Sequence, residues 1–321
     1  MSPEPQPALL ERILALRPTS AAHRLGDSPL PVLNPRDLVR ALDGTPPVPV
    51  LCVPVPAVEA LPGLLRAARD QDAVLGLACP YRPGSRDAAG AFFDAVRAAA
   101  DDYGHRRPVF LQAGPLRITS AEPRGLQERA EDVFRFIDAG FSLLSVDAST
   151  LVPEAGVQVA ADLVQAASER ELSIEIAAPV DSRGRATPEG LQTCLEAFRA
   201  KRIDIRFVRL RSSQFLPDSA RGAGQGPDLA ALGELAAIAS SFDAWLSVEE
   251  VGSARSPGAW ARAGIRKLEV GGPFATVVLG ALEPEMRASL RVRAAATSIP
   301  LAELLAQFGD PLAEAPHSAH L

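Results

Sequence analysis

From residue 48 onwards, the chain alternates between short apolar runs with strand character and longer stretches rich in Ala and Leu with helix character. Each apolar run ends in a loop of Pro, Gly or Ser and is followed by a helical stretch. Strands that alternate with helices run parallel and are joined by right-handed crossovers. Eight runs fit this description, at residues 48–53, 74–78, 109–112, 142–147, 173–177, 206–211, 245–249 and 266–270.

Eight strand–helix units predict an α/β fold, a closed (βα)8 TIM barrel, and a doubly wound open sheet is the alternative. Two helix starts carry a capping hydroxyl before a proline, at Thr187-Pro188 and Ser256-Pro257. Gly140 and Gly264 each end a helix directly before a strand, where a left-handed backbone is needed. Short helix-to-strand loops of this kind suit a barrel.

The chain is predicted to have three parts. Residues 1–47 form a short N-terminal helical extension, with one helix at 8–16 and another starting at Asn34-Pro35. These helices either plug the bottom of the barrel or contact a partner. Residues 48–308 form the barrel, and residues 309–321 form a disordered tail.

Charge and hydropathy exclude several classes of function. The 321 residues include 33 Lys and Arg against 39 Asp and Glu, a formal net charge of −6. Nucleic-acid binding needs clustered positive charge, and here the basic residues are scattered. No apolar run approaches the roughly 20 residues of a membrane span, and the first residues, MSPEPQP, are not typical of a signal peptide. We expect a cytoplasmic protein with no nucleic-acid or membrane partner.

The predicted interior of the barrel is charged. Side chains of a strand alternate between two faces, one against the helices and one inside the barrel. Strands four to eight each carry a clean apolar row, so their other row must point inward, and strands one and two contribute almost nothing polar. Gln112 points inward from the third strand. The inward row of strands four to eight holds four acids and three bases, Asp147, Glu175, Glu249, Glu269, Arg209, Arg211 and Lys267.

Buried charges are costly unless they are paired, so these residues should form an ion-pair network. The network is either purely structural, or its upper members form a ligand site, since charges at the C-terminal ends of barrel strands usually serve function. A β-bulge would reverse the parity of a strand. In the functional reading, Arg209 or Arg211 binds an anionic group and a carboxylate acts as general base. The candidate catalytic residues are Asp147, Glu175, Arg209, Arg211, Glu249 and Glu269.

A second group of candidates would bind a ligand. Gly252-Ser253 and Gly271-Gly272 lead into helices after the last two strands, and Gly-rich turns there can donate backbone N–H groups to a phosphate. The alternative is that they are plain turn residues. Gln112 and Ser149 complete the candidate ligand-binding set.

The passage AGFSLLSVDAS at residues 139–149 resembles the helix-to-strand passage of class II, metal-dependent fructose- and tagatose-bisphosphate aldolases. Within that family, the sequence of this passage most resembles the non-catalytic subunit branch of tagatose-bisphosphate aldolase. Residues 268–271, LEVG, resemble the eighth strand of that branch. Residues 248–253, VEEVGS, lie where the family has its seventh strand and a phosphate-binding loop. The resemblance implies a TIM barrel, a zinc site and a phosphate-bearing ligand.

The ligand positions of that family are not matched. Its catalytic Asp and first metal-binding His follow the third strand, where this chain has Gln112-Ala113-Gly114-Pro115. Glu175 matches the family's carboxylate ligand, unless a two-residue shift places Ala177 there. The later His ligands of the family fall near strands that here carry Arg209, Arg211, Glu249 and Glu250. None of the four histidines, His23, His105, His317 and His320, stands at a strand C-terminus, so we expect no metal and no cofactor.

Schiff-base aldolase chemistry would need a lysine inside the barrel. Lys267 has the right parity, but it lies near the start of its strand, where we expect it to pair with Glu269. The sequence therefore predicts a class II aldolase-like barrel without the zinc site, a non-catalytic or scaffolding relative that binds a sugar-phosphate-like anion. The alternative is a metal-independent lyase or aldolase-type enzyme acting on a small anionic, carbohydrate-like substrate. Expected partners are a small anionic ligand, a second copy of the chain or an aldolase partner subunit.

Overall fold

The structure, a computed structural model, describes residues 7–42, 48–55, 58–79, 87–211, 214, 229–249 and 257–270. Eight strands in these ranges are all parallel and close into a barrel in chain order. This confirms the predicted (βα)8 barrel and excludes the open sheet. The strands are β1 Val50–Pro54, β2 Leu75–Cys79, β3 Val109–Arg117, β4 Leu143–Asp147, β5 Ser173–Ala177, β6 Ile205–Arg211, β7 Trp245–Glu249 and β8 Ile265–Glu269.

The helices that follow β1 to β7 lie where the sequence predicts them. Thr187 caps its helix by accepting a hydrogen bond from the backbone N–H of Gly190 at 3.1 Å, and Gly140 and Gly264 have φ of +89° and +88°. No helix in the described ranges is long and apolar enough to cross a membrane. These helices are α4 Leu61–Asp70, α5 Ala88–Asp102, α6 Pro123–Asp138, α7 Pro153–Glu169, α8 Pro188–Ala200, α9 Leu229–Ser241 and α10 Pro257–Arg262.

Among the described residues, three helices precede the barrel: α1 Pro7–Leu14, α2 Thr19–Leu25 and α3 Pro35–Leu42. The sequence predicted α1 and α3 but not α2. Leu33, just before α3, and Leu38 and Val39 of α3 cover the N-terminal end of the barrel, where they pack against side chains near the starts of the strands. Those side chains are Val50, Phe110, Leu143 and Phe207. This packing is compatible with the expected plug, contact with a partner stays a prediction, and the predicted tail at 309–321 lies outside the described residues.

The predicted parity of the strands is confirmed. In β4, Leu144 and Val146 are buried in the apolar layer between sheet and helices, while Asp147 contacts Arg209 of β6 inside the barrel. The same alternation holds in β5 to β8. The polar row is therefore directed inward, as the apolar row on the opposite face requires.

Strand β3 is longer than predicted. The sequence places its end at Gln112, but the strand continues to Arg117 through a bulge, because its register against β4 shifts between Ala113 and Leu116. Gly114 permits this shift with a φ of +94°, and a Cβ there would lie 2.5 Å from the backbone oxygen of Ser145. The bulge brings Arg117 level with Asp147 of β4.

Candidate functional site

The inward charges form two clusters, one above the other. The lower cluster, in the middle of the barrel, is centred on Lys267, whose Nζ lies 2.7 Å from Oε1 of Glu175 and 3.5 Å from Oε2 of Glu269. The Ser247 hydroxyl donates to Oε1 of Glu175 at 2.6 Å. The Gln112 amide donates to Oε2 of Glu269 at 3.0 Å. All five side chains are buried, and Ser247 and Lys267 both donate to Oε1 of Glu175, while its Oε2 is buried without a hydrogen-bond partner among the described residues.

Electrostatics favour the charged forms of Glu175 and Lys267 in the lower cluster. Burial alone would raise the pKa of Glu175, but the charges of Lys267 and Arg209 outweigh it and hold that pKa below its usual value. Burial would lower the pKa of Lys267, but Glu175 and Glu269 outweigh it and the pKa is raised. Lys267 is therefore an ammonium and not the free amine that Schiff-base chemistry needs.

A buried cysteine adjoins this network. The Cys52 thiol of β1 donates to Oε1 of Gln112 at 3.4 Å. Burial raises the pKa of Cys52 well above its usual value, so the sulfur is a protonated thiol. A nucleophilic role needs the thiolate, and Cys52 is accordingly a packing and hydrogen-bonding residue.

The upper cluster lies at the C-terminal mouth and is centred on Asp147. Oδ2 of Asp147 accepts from Nη2 of Arg209 at 3.0 Å and from Nη2 of Arg211 at 2.7 Å. Oδ1 accepts from the backbone N–H of Ser149 at 3.1 Å and from its hydroxyl at 2.6 Å. A carboxylate has about four acceptor sites, so these donors saturate Asp147. Burial would raise the pKa of Asp147, but the bond from Ser149 and the charges of Arg209 and Arg211 outweigh it and leave the pKa lowered.

Glu249 of β7 is the second acid of the upper cluster. Its Oε2 lies 3.3 Å from Nη1 of Arg209 and 3.6 Å from Nε of Arg211, and its Oε1 lies 4.0 Å from Nη2 of Arg117. The three arginines differ in depth, with side chains 1% exposed for Arg209, 38% for Arg211 and 63% for Arg117. Arg209 is thus a buried counter-ion, while Arg211 and Arg117 can reach solvent.

The structure brings together all six residues predicted as catalytic, although their role stays a prediction. Lys267 pairs with Glu269 as expected, but Glu175 is its closer partner. Gln112 belongs to the lower cluster and Ser149 to the upper cluster. The predicted ligand residues Gly252, Ser253, Gly271 and Gly272 lie outside the described residues.

Two residues of the mouth were missed. Arg117 was missed because a parity count that stops at Gln112 cannot anticipate the bulge. Gln214 was missed because it follows β6, and its amide oxygen accepts from the backbone N–H of Arg211 at 2.6 Å. No periodic signal in the sequence marks either residue.

Among the described residues, the acids of the upper cluster are paired with arginines. Asp147 and Glu249 both contact the buried guanidinium of Arg209, which would repel a metal cation. His23 lies in α2, and His105 is buried ahead of the N-terminal end of β3. Within the described ranges no group of three His, Cys, Asp or Glu could hold a metal ion.

These features define a (βα)8 barrel with a charged mouth at the C-terminal ends of its strands, and solved structures share the fold. It is similar to a putative fructose-1,6-biphosphate aldolase from Coccidioides immitis, at 17% identity and a TM-score of 0.51, covering 88% of this chain and 91% of that chain. It is also similar to fructose-bisphosphate aldolase from Campylobacter jejuni, at 13% identity and a TM-score of 0.59, covering 88% and 89%. A probable tagatose 6 phosphate kinase from Sinorhizobium meliloti matches at 14% identity and a TM-score of 0.57, covering 78% and 70%.

At such low identities the likeness shows the fold alone. The shared fold is the TIM barrel that the resemblance of residues 139–149 implied. No protein-family model matches the sequence, and no curated protein sequence matches it.

Proposed function

We propose that this protein is a non-catalytic relative of the aldolase barrels and binds a small, sugar-phosphate-like anion at the mouth through Arg211. One observation carries the proposal: the inward carboxylates of the described mouth act as counter-ions of arginine side chains. Asp147 accepts four hydrogen bonds, two of them from arginines. Glu249 faces Arg209 and Arg211.

This arrangement is unsuited to acid–base chemistry. An efficient general base has a pKa near the working pH and reaches the proton that it abstracts. The lowered pKa values of Asp147 and Glu175 make both carboxylates weak bases. Lys267 is a buried ammonium. Asp147, Glu175 and Lys267 are therefore held in their charged forms by ion pairs. This supports binding over turnover.

The binding role falls to Arg211 because it is both anchored and accessible. Its Nη2 holds Asp147 at 2.7 Å and its Nε faces Glu249 at 3.6 Å, while over a third of the side chain is exposed. A guanidinium carries five N–H donors, so these contacts leave donors for a solute. In this fold ligands bind at the end of the barrel where Arg211 lies.

Titration calorimetry with inorganic phosphate, a sugar phosphate and short dicarboxylates tests the proposal. We expect saturable binding that weakens by at least about tenfold in Arg211→Gln, because charge-assisted hydrogen bonds are lost. Arg170→Gln is the matched control, since Arg170 is an exposed arginine just before β5, at the opposite end of the barrel, and it should bind as the wild type does.

Two further measurements address catalysis. We expect no cleavage of sugar phosphates by the purified protein and no near-stoichiometric zinc in elemental analysis. Cleavage that depends on Asp147 or Glu175 would overturn the non-catalytic role. Binding that survives in Arg211→Gln would overturn the assigned anion site.

A further inference from the structure

Arg117 reaches the mouth because of the bulge in β3. Beyond the register shift, Leu116 pairs with Val146 and Arg117 pairs with Asp147. Leu116 and Val146 are both buried in the apolar layer outside the sheet. Arg117 therefore lies on the inward face at the height of Asp147, with most of its side chain exposed.

Arg117 and Arg211 meet at one carboxylate. Nη2 of Arg117 lies 4.0 Å from Oε1 of Glu249, and Nε of Arg211 lies 3.6 Å from Oε2. Each guanidinium thus lies near a different carboxylate oxygen of Glu249. One carboxylate can neutralise only one of the two positive charges.

The charges of the barrel are unevenly divided between the two clusters. Among the described residues, the upper cluster has three guanidiniums against the carboxylates of Asp147 and Glu249. The lower cluster has one ammonium against the carboxylates of Glu175 and Glu269. The positive surplus lies at the solvent end, where an anion would arrive, and the negative surplus lies inside.

We propose that Arg117 and Arg211 form a two-armed site for a tetrahedral oxyanion, either free phosphate or the phosphoryl group of a phosphate monoester. The inference rests on the proposed function, because both use Arg211. A carboxylate presents two oxygens in one plane, and one guanidinium fork occupies both. A tetrahedral oxyanion presents oxygens in several directions and so accepts from two guanidiniums on different strands.

Calorimetric titrations with inorganic phosphate, sulfate and acetate test the two-armed site. The wild type should bind phosphate and sulfate at least about tenfold more tightly than acetate, because the second arm adds charge-assisted hydrogen bonds. Arg117→Gln should lose about tenfold in phosphate affinity and most of the preference over acetate. Arg170→Gln should retain both. Arg117 is mostly exposed, so thermal melting of Arg117→Gln should match the wild type.

A titration with glycerol phosphate distinguishes a phosphate monoester from free phosphate as the ligand. An affinity well above that of phosphate indicates a monoester ligand, and an affinity well below it indicates free phosphate. If Arg117→Gln binds phosphate as tightly as the wild type while Arg211→Gln does not, the second arm is refuted and the proposed function stands. If phosphate binding persists in both variants, both are refuted.

Discussion

Lys267 and Glu175 face each other inside the barrel with Nζ 2.7 Å from Oε1, and neither side chain has any exposed surface. They belong to β8 and β5, which are not neighbours in the sheet, so the pair links separate walls of the barrel. A buried ion pair is weak evidence for net stability, but the removal of one partner leaves an uncompensated buried charge.

Glu175→Ala should therefore lower the free energy of unfolding by about 3–5 kcal/mol, measured by urea denaturation. The matched control is Glu196→Ala on the exposed face of α8, which should change it by less than about 0.5 kcal/mol. Equal stability of the two variants would mean that Glu175 does not balance Lys267.

His105 should make the protein sensitive to mild acid. The side chain is buried, and burial first, with the nearby charges of Arg107 and Arg69, lowers its pKa from 6.5 to about 4. The folded state then binds a proton less readily than the unfolded state, so stability falls as the pH drops through 6.5 towards 4. Between pH 6.5 and 5 the loss is about 2 kcal/mol.

Between pH 6.5 and 5, the effect of His105 on stability can be separated from that of Asp147 and Glu175. Asp147 and Glu175 have lowered pKa values, so the stability that they contribute is lost only at lower pH, beginning near the ordinary carboxyl values. His105→Asn retains hydrogen-bonding capacity without titrating, and its urea midpoint should be nearly constant from pH 6.5 to 5. An unchanged pH dependence in this variant would assign the acid sensitivity to another group.

Gly114→Ala should destabilise the barrel by about 1–3 kcal/mol, because a Cβ at φ +94° is strained. The added carbon would also lie 2.5 Å from the Ser145 oxygen and 2.6 Å from the Leu116 nitrogen, both backbone atoms. Gly125→Ala, in α6 with no atom within 4 Å, should instead stabilise by up to about 1 kcal/mol. The thermal unfolding temperatures of Gly114→Ala and Gly125→Ala measure the two effects. A Gly114→Ala protein as stable as the wild type would contradict the bulge geometry.

Periodicity predicted most of the fold and the composition of the candidate site. The alternation of apolar and polar residues in each strand placed Asp147, Arg209 and Glu249 inside the barrel, because one face of every strand must meet the helices. Pairing across the barrel was harder to predict. Lys267 lies closest to Glu175, since register shifts between neighbouring strands set which inward residues share a height.

Irregular features account for what the sequence did not predict. Arg117 belongs to the mouth only because β3 bulges after Gln112, and a bulge has no periodic signature. Helix α2 is short, and only Ala21 and Leu25 of its residues are buried, so its apolar pattern is weak. The roles of the Gly252-Ser253 and Gly271-Gly272 turns stay predictions.

Whether the mouth carboxylates are counter-ions or bases is measured most directly by carbon NMR of protein labelled at the aspartate side-chain carboxyl. A comparison with Asp147→Asn assigns the Asp147 signal. Because burial is outweighed by Ser149, Arg209 and Arg211, the pKa of Asp147 is lowered, and its signal should keep the ionised chemical shift from pH 8 to pH 5. An Asp147 signal that titrates near neutral pH would show a carboxyl poised to act as a base and would contradict a non-catalytic, anion-binding barrel.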